Sequence, residues 1–319
     1  MSERVELEAR VPAEDDGERL DQVAARLFPD YSRSRLQTWI RSGELRVDGS
    51  AVRPRDKVTN GALLSISAVI EEAVGWQPQS IDLEILHEDD AIIVLNKPAG
   101  LVVHPAAGHA DGTLVNALLH HAPDMAKLPR GGIVHRLDRE TSGVMVAAKT
   151  LAAHHSLVDQ LQARTVKREY CAVCIGVMTG GATIDAPIGR HPKQRKKMAV
   201  VAVGGKPAIT HYRVTKRFGH HTRIAVNLET GRTHQIRVHM AHRHYPLIGD
   251  PQYGGRPRIP AGASDTLIAA LRGFPRQALH AEQLTLEHPV SSELVSFSCP
   301  LPADMEELLA VLESEDPAS

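Results

Sequence analysis

The first part of the chain shows two amphipathic helices followed by a small sheet. In residues 17–28, apolar side chains recur at helical spacing, and a second short helix ends before Gly43. The stretch LRVDGSAV alternates apolar and polar residues around Asp48-Gly49, a dipeptide typical of hairpin turns, and residues 62–67 predict another strand. The pattern therefore predicts a compact module over residues 17–76.

The longer second part mixes strands and helices without a regular alternation. Residues 68–79 break the periodicity with acidic residues, glycine and proline, and we interpret them as a linker. The predicted elements of the second part are strands at residues 91–98 and 144–149 and helices at residues 113–119, 151–162, 235–242 and 304–312. Because a parallel doubly wound sheet requires regular strand–helix alternation, we predict an α+β domain with a mixed, largely antiparallel sheet over residues 82–312.

Composition narrows the class of protein. Apolar residues make up 42% of the chain and charged residues 24%, and no apolar run approaches the roughly 18 residues that a membrane span requires. The N-terminus is acidic and lacks the apolar stretch of a secretion signal, so we expect a cytoplasmic protein with no membrane association. Cys171 and Cys174 lie three residues apart on a predicted strand, where they point to opposite faces, so we expect neither a disulfide nor a shared metal.

Net charge hides a strongly basic segment. The chain carries a formal charge of −1, yet residues 186–228, which include Lys196, hold ten Lys or Arg and no Asp or Glu. Such a segment favours an RNA partner, because neutralising phosphates releases counterions. Further basic residues surround the second helix and the hairpin, and those expected to bind RNA are Arg33, Arg35, Arg46 and Arg53. In SRSRLQTWIRSGELRVDGSAVRPRDKV, this order of helix, glycine stop, hairpin and proline-containing loop resembles an S4 RNA-binding domain.

Two polar clusters carry the candidate chemistry. The first is HRLDRETS, in which Asp138 lies in a crowded polar loop between two predicted apolar strands. The second is TGRTHQIRVHMAH, where Thr233 is the expected cap of a helix that carries Arg237, with Arg232 just before it. A buried carboxylate needs such a cationic partner to remain ionised. Four histidines lie in or beside this second stretch, but no Cys is near and no HExxH occurs, which argues against a metal.

HRLD together with a downstream GRTHQIR resembles the RluA family of pseudouridine synthases, and the similarity covers nearly the whole chain. The resemblance implies that Asp138 is the catalytic aspartate and that Arg237 pairs with it. It also implies that Tyr170, in KREY, stacks on the target base and assists removal of the C5 proton. We add Arg136 and Arg232 as candidate substrate-binding residues that position phosphates.

The implied reaction breaks the N1–C1′ bond of a uridine, turns the uracil and joins C5 to C1′, which needs no cofactor and no metal. Asp138 can start it by covalent attack or by abstracting a sugar proton, and the sequence leaves both routes open. The target base must first leave its stack, at a cost of a few kcal/mol. By resemblance, the substrate is 23S rRNA of the large ribosomal subunit, at the stem-loop called helix 69, and the protein is a monomer.

Two other functions compete with this interpretation. A non-catalytic RNA-binding or ribosome-assembly factor would account for the S4-like module and the basic segment, but a degenerate relative is expected to have lost at least one of Asp138, Tyr170 and Arg237. A metal-dependent nuclease or hydrolase would need several carboxylates that converge on a metal, and the basic segment offers none.

Overall fold

The structure is a computed structural model that describes residues 3–31, 33–70, 76–105, 111–194 and 197–318. It contains two compact units, Met1–Gly75 and Trp76–Ser319. Lys196, one of the predicted RNA-binding residues, lies outside the described residues.

The first unit combines two helices with a three-stranded antiparallel sheet. Its elements are β1 (Glu3–Arg10), α1 (Leu20–Leu27), α2 (Arg33–Ser42), β2 (Leu45–Val47) and β3 (Leu63–Ile70). The sheet has the order β1-β3-β2, so β1, which precedes the predicted module start at residue 17, forms one edge. The helices and the sheet share one apolar core, whose buried side chains include Leu20, Leu36, Trp39 and Leu64.

The hairpin turn follows the sequence prediction, whereas the linker prediction was partly wrong. Asp48 and Gly49 both have positive φ values, 48° and 74°, and Val47 and Ser50 exchange backbone hydrogen bonds across them. This is the conformation that Asp-Gly favours in a two-residue turn. Residues 68–70, however, belong to β3 and not to a linker, because β3 pairs with β1 along its whole length.

The second unit is built around one large sheet. Its elements are β4 (Glu84–Glu88), β5 (Ile92–Lys97), α3 (Leu114–His121), β6 (Ser142–Ala148), α4 (Leu151–Ala163), β7 (Lys167–Ile175), β8 (Ala182–Asp185), β9 (Ile188–Arg190), β10 (Met198–Val200), β11 (Ile209–Arg217), β12 (His221–Leu228), α5 (Gln235–His242), α6 (Asp265–Gly273), β13 (Leu279–Glu287), β14 (Leu294–Ser298) and α7 (Ala303–Glu315). Among the described residues, no helix has the length and apolar character to cross a membrane.

The large sheet runs in the order β4-β5-β6-β13-β7-β12-β11-β8, with β14 on β13. Within the described strands, β6 and β13 form the one parallel pair and the other pairs of this sheet are antiparallel, which confirms the predicted mixed, largely antiparallel α+β fold. β9 and β10 form a separate two-stranded sheet.

Both faces of the large sheet are covered. On β7, Cys174 packs in the same core as Tyr170 and residues of α5, whereas Cys171 packs against α6 and α7. This confirms that the two cysteines face opposite sides of the strand. It also places Tyr170 and α5 on the same face of the sheet, which is where the candidate site lies.

One strand predicted beside the polar loop is almost absent. Ile133 forms only an isolated bridge with Ala147, and Gly131 and Gly132 before it have φ values of 60° and 79°. A Cβ atom on Gly132 would lie 2.1 Å from the carbonyl oxygen of Ala148, so the backbone here approaches β6 too closely for a side chain. The prediction of a strand was therefore wrong, and a close turn leads into the loop instead.

Candidate active site

Asp138 projects from a loop that is tied down on both sides of it. The carbonyl oxygen of Asp138 accepts from the amide of Thr141 at 3.0 Å. The ammonium group of Lys97 donates to the carbonyl of Arg139 at 3.0 Å, and Nη1 of Arg276 donates to that of Glu140 at 3.2 Å. The loop backbone is thus fixed, while the Asp138 side chain remains 16% exposed to the cavity beside it.

Lys97 is a buried side chain that binds the loop backbone. Its Nζ also donates to the carbonyl oxygens of Pro98 and Leu101, at 2.7 and 3.0 Å. Burial lowers the pKa of Lys97 to about 7, against the opposing charges of Glu140 and Asp138. The side chain has no exposed surface, so it holds the loop from behind and does not reach a substrate.

Arg237, on α5, links Asp138 to a second and deeper carboxylate. Its Nη1 donates to Oδ2 of Asp138 at 3.1 Å, while Nε and Nη2 donate to Oδ2 and Oδ1 of Asp250 at 2.7 and 3.0 Å. Burial alone would lower the pKa of Arg237, but the hydrogen bonds and charges of Asp250 and Asp138 raise it. The guanidinium is therefore a permanent cation held by Asp250 in an orientation that suits Asp138.

Asp250 is a site residue that the sequence analysis missed. It is 1% exposed, and its Oδ1 also accepts from the backbone amides of Gln252 and Tyr253 at 2.9 and 3.0 Å. Gly249 before it has φ 70°, and a Cβ there would lie 2.0 Å from the carbonyl oxygen of Arg276. The sequence signal was the LIGDPQY stretch, in which an aspartate follows two apolar residues and a glycine.

His234, and not Thr233 as predicted, caps α5. His234 adopts a left-handed conformation with φ 58°, and its side chain makes no capping hydrogen bond. Instead its Nδ1 lies 2.7 Å from the hydroxyl oxygen of Tyr253, and its Nε2 lies 3.9 Å from Oδ1 of Asp138. The Arg237 guanidinium lies over the Tyr253 ring, 5.0 Å from its centroid. The left-handed cap residue thus presents its imidazole to Oδ1 of Asp138.

Tyr170 lies on β7 and lines the same cavity as Asp138. It is 7% exposed, and burial raises the pKa of its hydroxyl, with the charge of Asp138 acting in the same direction and that of Arg168 against it. The phenol is therefore neutral at physiological pH. Arg168, two residues earlier on the same face of the strand, donates through Nη2 to the carbonyl oxygens of Leu228 and Glu229.

The predicted substrate-binding residues come together around this cavity. Arg136 is exposed at its edge, and Arg232 is half-buried, with Nε donating to the carbonyl oxygen of Pro207 at 2.9 Å. The cavity is thus lined by Asp138 and Tyr170 and bordered by several guanidinium groups. That arrangement suits a planar, neutral base attached to a negatively charged backbone.

The histidines near the site have structural partners. His135 accepts a hydrogen bond from the amide of Val146 at 3.1 Å, and burial lowers its pKa to about 3, so it is a neutral link to β6. His239 is bonded at both ring nitrogens, to Thr210 and to the carbonyl of Ala186. Over the described ranges, no three His, Cys, Asp or Glu side chains form a group that could hold a metal ion.

The predicted RNA-binding arginines of the first unit are divided between different surroundings. Arg53 is exposed and shares a concave surface with Arg19, Arg41 and Arg55. Arg46 lies in a different groove and donates to the carbonyl of Gly43 at 2.9 Å. The two remaining predicted residues, Arg33 and Arg35, lie in the first turn of α2, and the first of them donates to Asp21.

The basic segment 186–228 does not present all of its cations to one surface. Lys216 pairs with Glu313 on α7, and Arg223 donates to Sγ of Cys171 at 3.3 Å. Arg217 donates to the carbonyl oxygens of Met178 and Thr179. These three side chains are therefore bonded to groups outside the segment, and Glu313 offsets the charge of Lys216.

Comparison with known families places both units. The family model described as RNA pseudouridylate synthase matches residues 91–242, and the S4 domain model matches residues 18–64. Asp138, Tyr170 and Arg237 all lie inside the first match. The resemblances found in the sequence are therefore confirmed for both units.

Relatives of known name extend this match to nearly the full length. The chain is 60% identical to ribosomal large subunit pseudouridine synthase D of Pseudomonas aeruginosa, over 99% of this chain and 98% of that protein. It is 54% identical to the protein of the same name from Escherichia coli K12, over 99% and 97%. Among solved structures, human RNA pseudouridylate synthase domain containing 4 matches with a TM-score of 0.59 and 27% identity, over 72% of this chain and 93% of that one. The chain therefore belongs to the RNA pseudouridylate synthase family, as an isomerase with an S4 domain at its N-terminal end.

Proposed function

We propose that this enzyme converts uridines of 23S rRNA in the large ribosomal subunit to pseudouridine, with Asp138 as its catalytic group. The single observation that carries the proposal is the geometry of Asp138. Its Oδ2 accepts a hydrogen bond from Arg237, while its Oδ1 accepts none within the described part of the chain and lies 3.9 Å from Nε2 of His234, in the cavity that Tyr170 lines.

The chemistry follows from that free oxygen. In one route, Oδ1 attacks C1′, the N1–C1′ bond breaks, and the uracil leaves with the bonding electron pair. In the other, the carboxylate removes the proton from C2′ to leave a glycal, and uracil departs. In both routes the uracil then turns and C5 bonds to C1′. In the covalent route this step breaks the Oδ1–C1′ bond and releases the Asp138 carboxylate, and in the glycal route C2′ takes its proton back from Asp138. The C5 proton is then lost and N1 takes up a proton, so that the product is an isomer of the substrate.

Tyr170 and the arginines supply the remaining functions in this proposal. A uridine flipped out of its stack loses stacking energy, and the Tyr170 ring recovers part of it in the cavity. Because the Tyr170 phenol is neutral, it acts on the C5 proton as a hydrogen-bonding group and not as a pre-formed phenolate base. Arg136 and Arg232, at the edge of the cavity, hold phosphates next to the target nucleotide.

The choice of substrate rests on the named relatives and on the S4 unit. Both relatives reported above are named for the large ribosomal subunit, and each is more than half identical to this chain. Helix 69 is the target we propose within 23S rRNA. The exposed Arg53 and its neighbours Arg19, Arg41 and Arg55 form a basic concave surface that suits structured RNA, with Arg33, Arg35, Arg46 and Lys196 as further proposed contacts.

The test uses Asp138→Asn, with Asp124→Asn as a matched control, because Asp124 is an exposed residue that pairs with Lys127 on the surface. In cells that lack the protein, we expect helix 69 pseudouridines to disappear, and to return with the wild-type or control gene but not with D138N. Purified D138N should still bind 23S rRNA within about threefold of wild type, because removing one catalytic charge leaves the backbone contacts intact. Turnover by purified D138N would refute the catalytic role, and unchanged helix 69 in cells without the protein would refute the target.

A further inference from the structure

We propose that His234 and Asp138 together bind the 2′-hydroxyl of the target uridine, so that His234 is a residue that selects ribose over deoxyribose. The proposal rests on the catalytic role proposed for Asp138. It starts from three observations: the two side chains line one cavity, their facing atoms lie 3.9 Å apart, and both side chains are partly exposed there.

Tyr253 determines which nitrogen of His234 carries the proton. The hydroxyl oxygen of Tyr253 accepts from the amide of Met198 at 3.0 Å, and it lies 2.7 Å from Nδ1 of His234. Because burial raises the pKa of Tyr253, the phenol keeps its proton, and Nδ1 is its hydrogen-bond acceptor within the described residues. When Nδ1 accepts, a neutral imidazole must carry its proton on Nε2.

The surroundings keep this imidazole neutral. Burial lowers the pKa of His234, and the charges of Arg237 and Arg136 act in the same direction, against those of Asp138 and Asp250. His234 therefore presents an Nε2–H donor to the cavity, 3.9 Å from Oδ1 of Asp138, which as a carboxylate oxygen can only accept.

A donor and an acceptor separated by 3.9 Å are too far apart to bond directly, but they suit one group that both accepts and donates. A hydroxyl oxygen can lie about 2.8 Å from each atom, accepting from Nε2–H and donating its own proton to Oδ1. Within an RNA chain the 3′ and 5′ oxygens are esterified, and no single atom of uracil both donates and accepts. The 2′-hydroxyl is therefore the group of the target nucleotide that fits.

The 2′-hydroxyl lies next to the two sugar carbons at which the proposed reaction can begin. Covalent attack occurs at C1′ and glycal formation begins at C2′, and the 2′-hydroxyl is bonded to C2′, so a carboxylate that reaches either carbon is next to this hydroxyl. Holding the hydroxyl between Nε2 and Oδ1 would align the sugar with Asp138 before either step.

The experiment is a cycle of enzyme and substrate changes measured in single turnover. The substrates are two RNA fragments that carry either uridine or 2′-deoxyuridine at a position that the wild-type enzyme modifies. The enzymes are wild type, His234→Phe, which keeps a ring but no donor, and His234→Gln, which restores an N–H. RNA affinity is measured separately by filter binding, and folding is checked by circular dichroism.

We expect the deoxyuridine to slow wild type on the order of 10- to 100-fold, the value of one hydrogen bond to a charged or polar partner. H234F should be slowed to a similar extent on uridine, with affinity within about threefold, and the deoxyuridine should slow it little further. H234Q should recover part of both the rate and the discrimination. Tyr253→Phe, which keeps the ring under Arg237 but frees the tautomer, should weaken the discrimination as well, and it provides the same test if H234F does not fold.

Undiminished discrimination against deoxyuridine in both H234F and Y253F would overturn the proposal, as would a wild-type enzyme that does not distinguish the two substrates. These outcomes are separable from failure of the proposed function. If D138N retains turnover, the catalytic role of Asp138 fails whatever His234 does. If D138N is inactive while H234F and Y253F discriminate as wild type does, only the ribose-binding role fails.

Discussion

The buried pair of Arg237 and Asp250 provides the sharpest test of how the site is built. Asp250 holds two nitrogens of the guanidinium, and Asp138 holds the third. Replacing Asp250 by Asn keeps the shape but removes a buried charge. Breaking a buried ion pair from one side costs about 3–5 kcal/mol, and we expect about 3 kcal/mol here because Asp138 still balances the guanidinium.

That loss of stability should be visible as a lower melting temperature. For a unit of this size, 1 kcal/mol corresponds to about 2–4 °C, so D250N should melt roughly 6–12 °C below wild type in thermal unfolding followed by circular dichroism. Turnover at a temperature where both proteins are folded should fall on the order of 100-fold, because Arg237 is no longer held in position and Asp138 moves with it.

Asp316→Asn is the matched control for this prediction. Asp316, which follows α7, is also buried and accepts hydrogen bonds from His220 and His221. None of these three residues lines the cavity. D316N should lower the melting temperature and leave the turnover of folded protein unchanged. If folded D250N turns over as fast as wild type, or if D316N loses turnover to the same degree, the positioning role of Asp250 is wrong.

Three further predictions concern the first unit and the chemistry. Removing residues 1–75 should weaken or redirect the choice of RNA more than it slows the isomerisation of a short bound fragment; unchanged site selection in rRNA mapping would contradict this. Although burial opposes it, hydrogen bonds from Arg33, Arg19 and Gln37 lower the pKa of Asp21 to about 2, below its ordinary value of 3.8. This depressed pKa stabilises the first unit above pH 4 and the contribution is lost as the pH falls from 4 to 2, so acid unfolding monitored by tryptophan fluorescence should be less steep in Asp21→Asn. Turnover should survive EDTA, since a carboxylate begins the reaction, and a loss that zinc or magnesium restores would show otherwise.

Most of the local structure was predictable because its causes are local. Helical spacing of apolar residues, the Asp48-Gly49 turn and the apolar run of β5 each depend on neighbours a few residues away. The HRLD and HQIR motifs pointed to Asp138 and Arg237 through a family resemblance, and the structure brings these two side chains within 3.1 Å of each other. β1 was missed because its short alternation of acidic and apolar residues forms a strand only by pairing with β3, some sixty positions later.

The arrangement that makes the site work was decided by tertiary structure. The residues next to Arg237 in the sequence do not indicate that its guanidinium donates to Asp250. They also do not indicate that a left-handed His234 replaces Thr233 as the cap and faces Asp138. The basic segment 186–228 also differs from the sequence interpretation, because Lys216, Arg217 and Arg223 are bonded to groups outside the segment. The sequence by itself determined which chemical groups are present and which short elements they occupy. Which charges meet, and which oxygen of Asp138 stays free, depends on contacts between distant parts of the chain, and those form only when the sheet and α5 pack together.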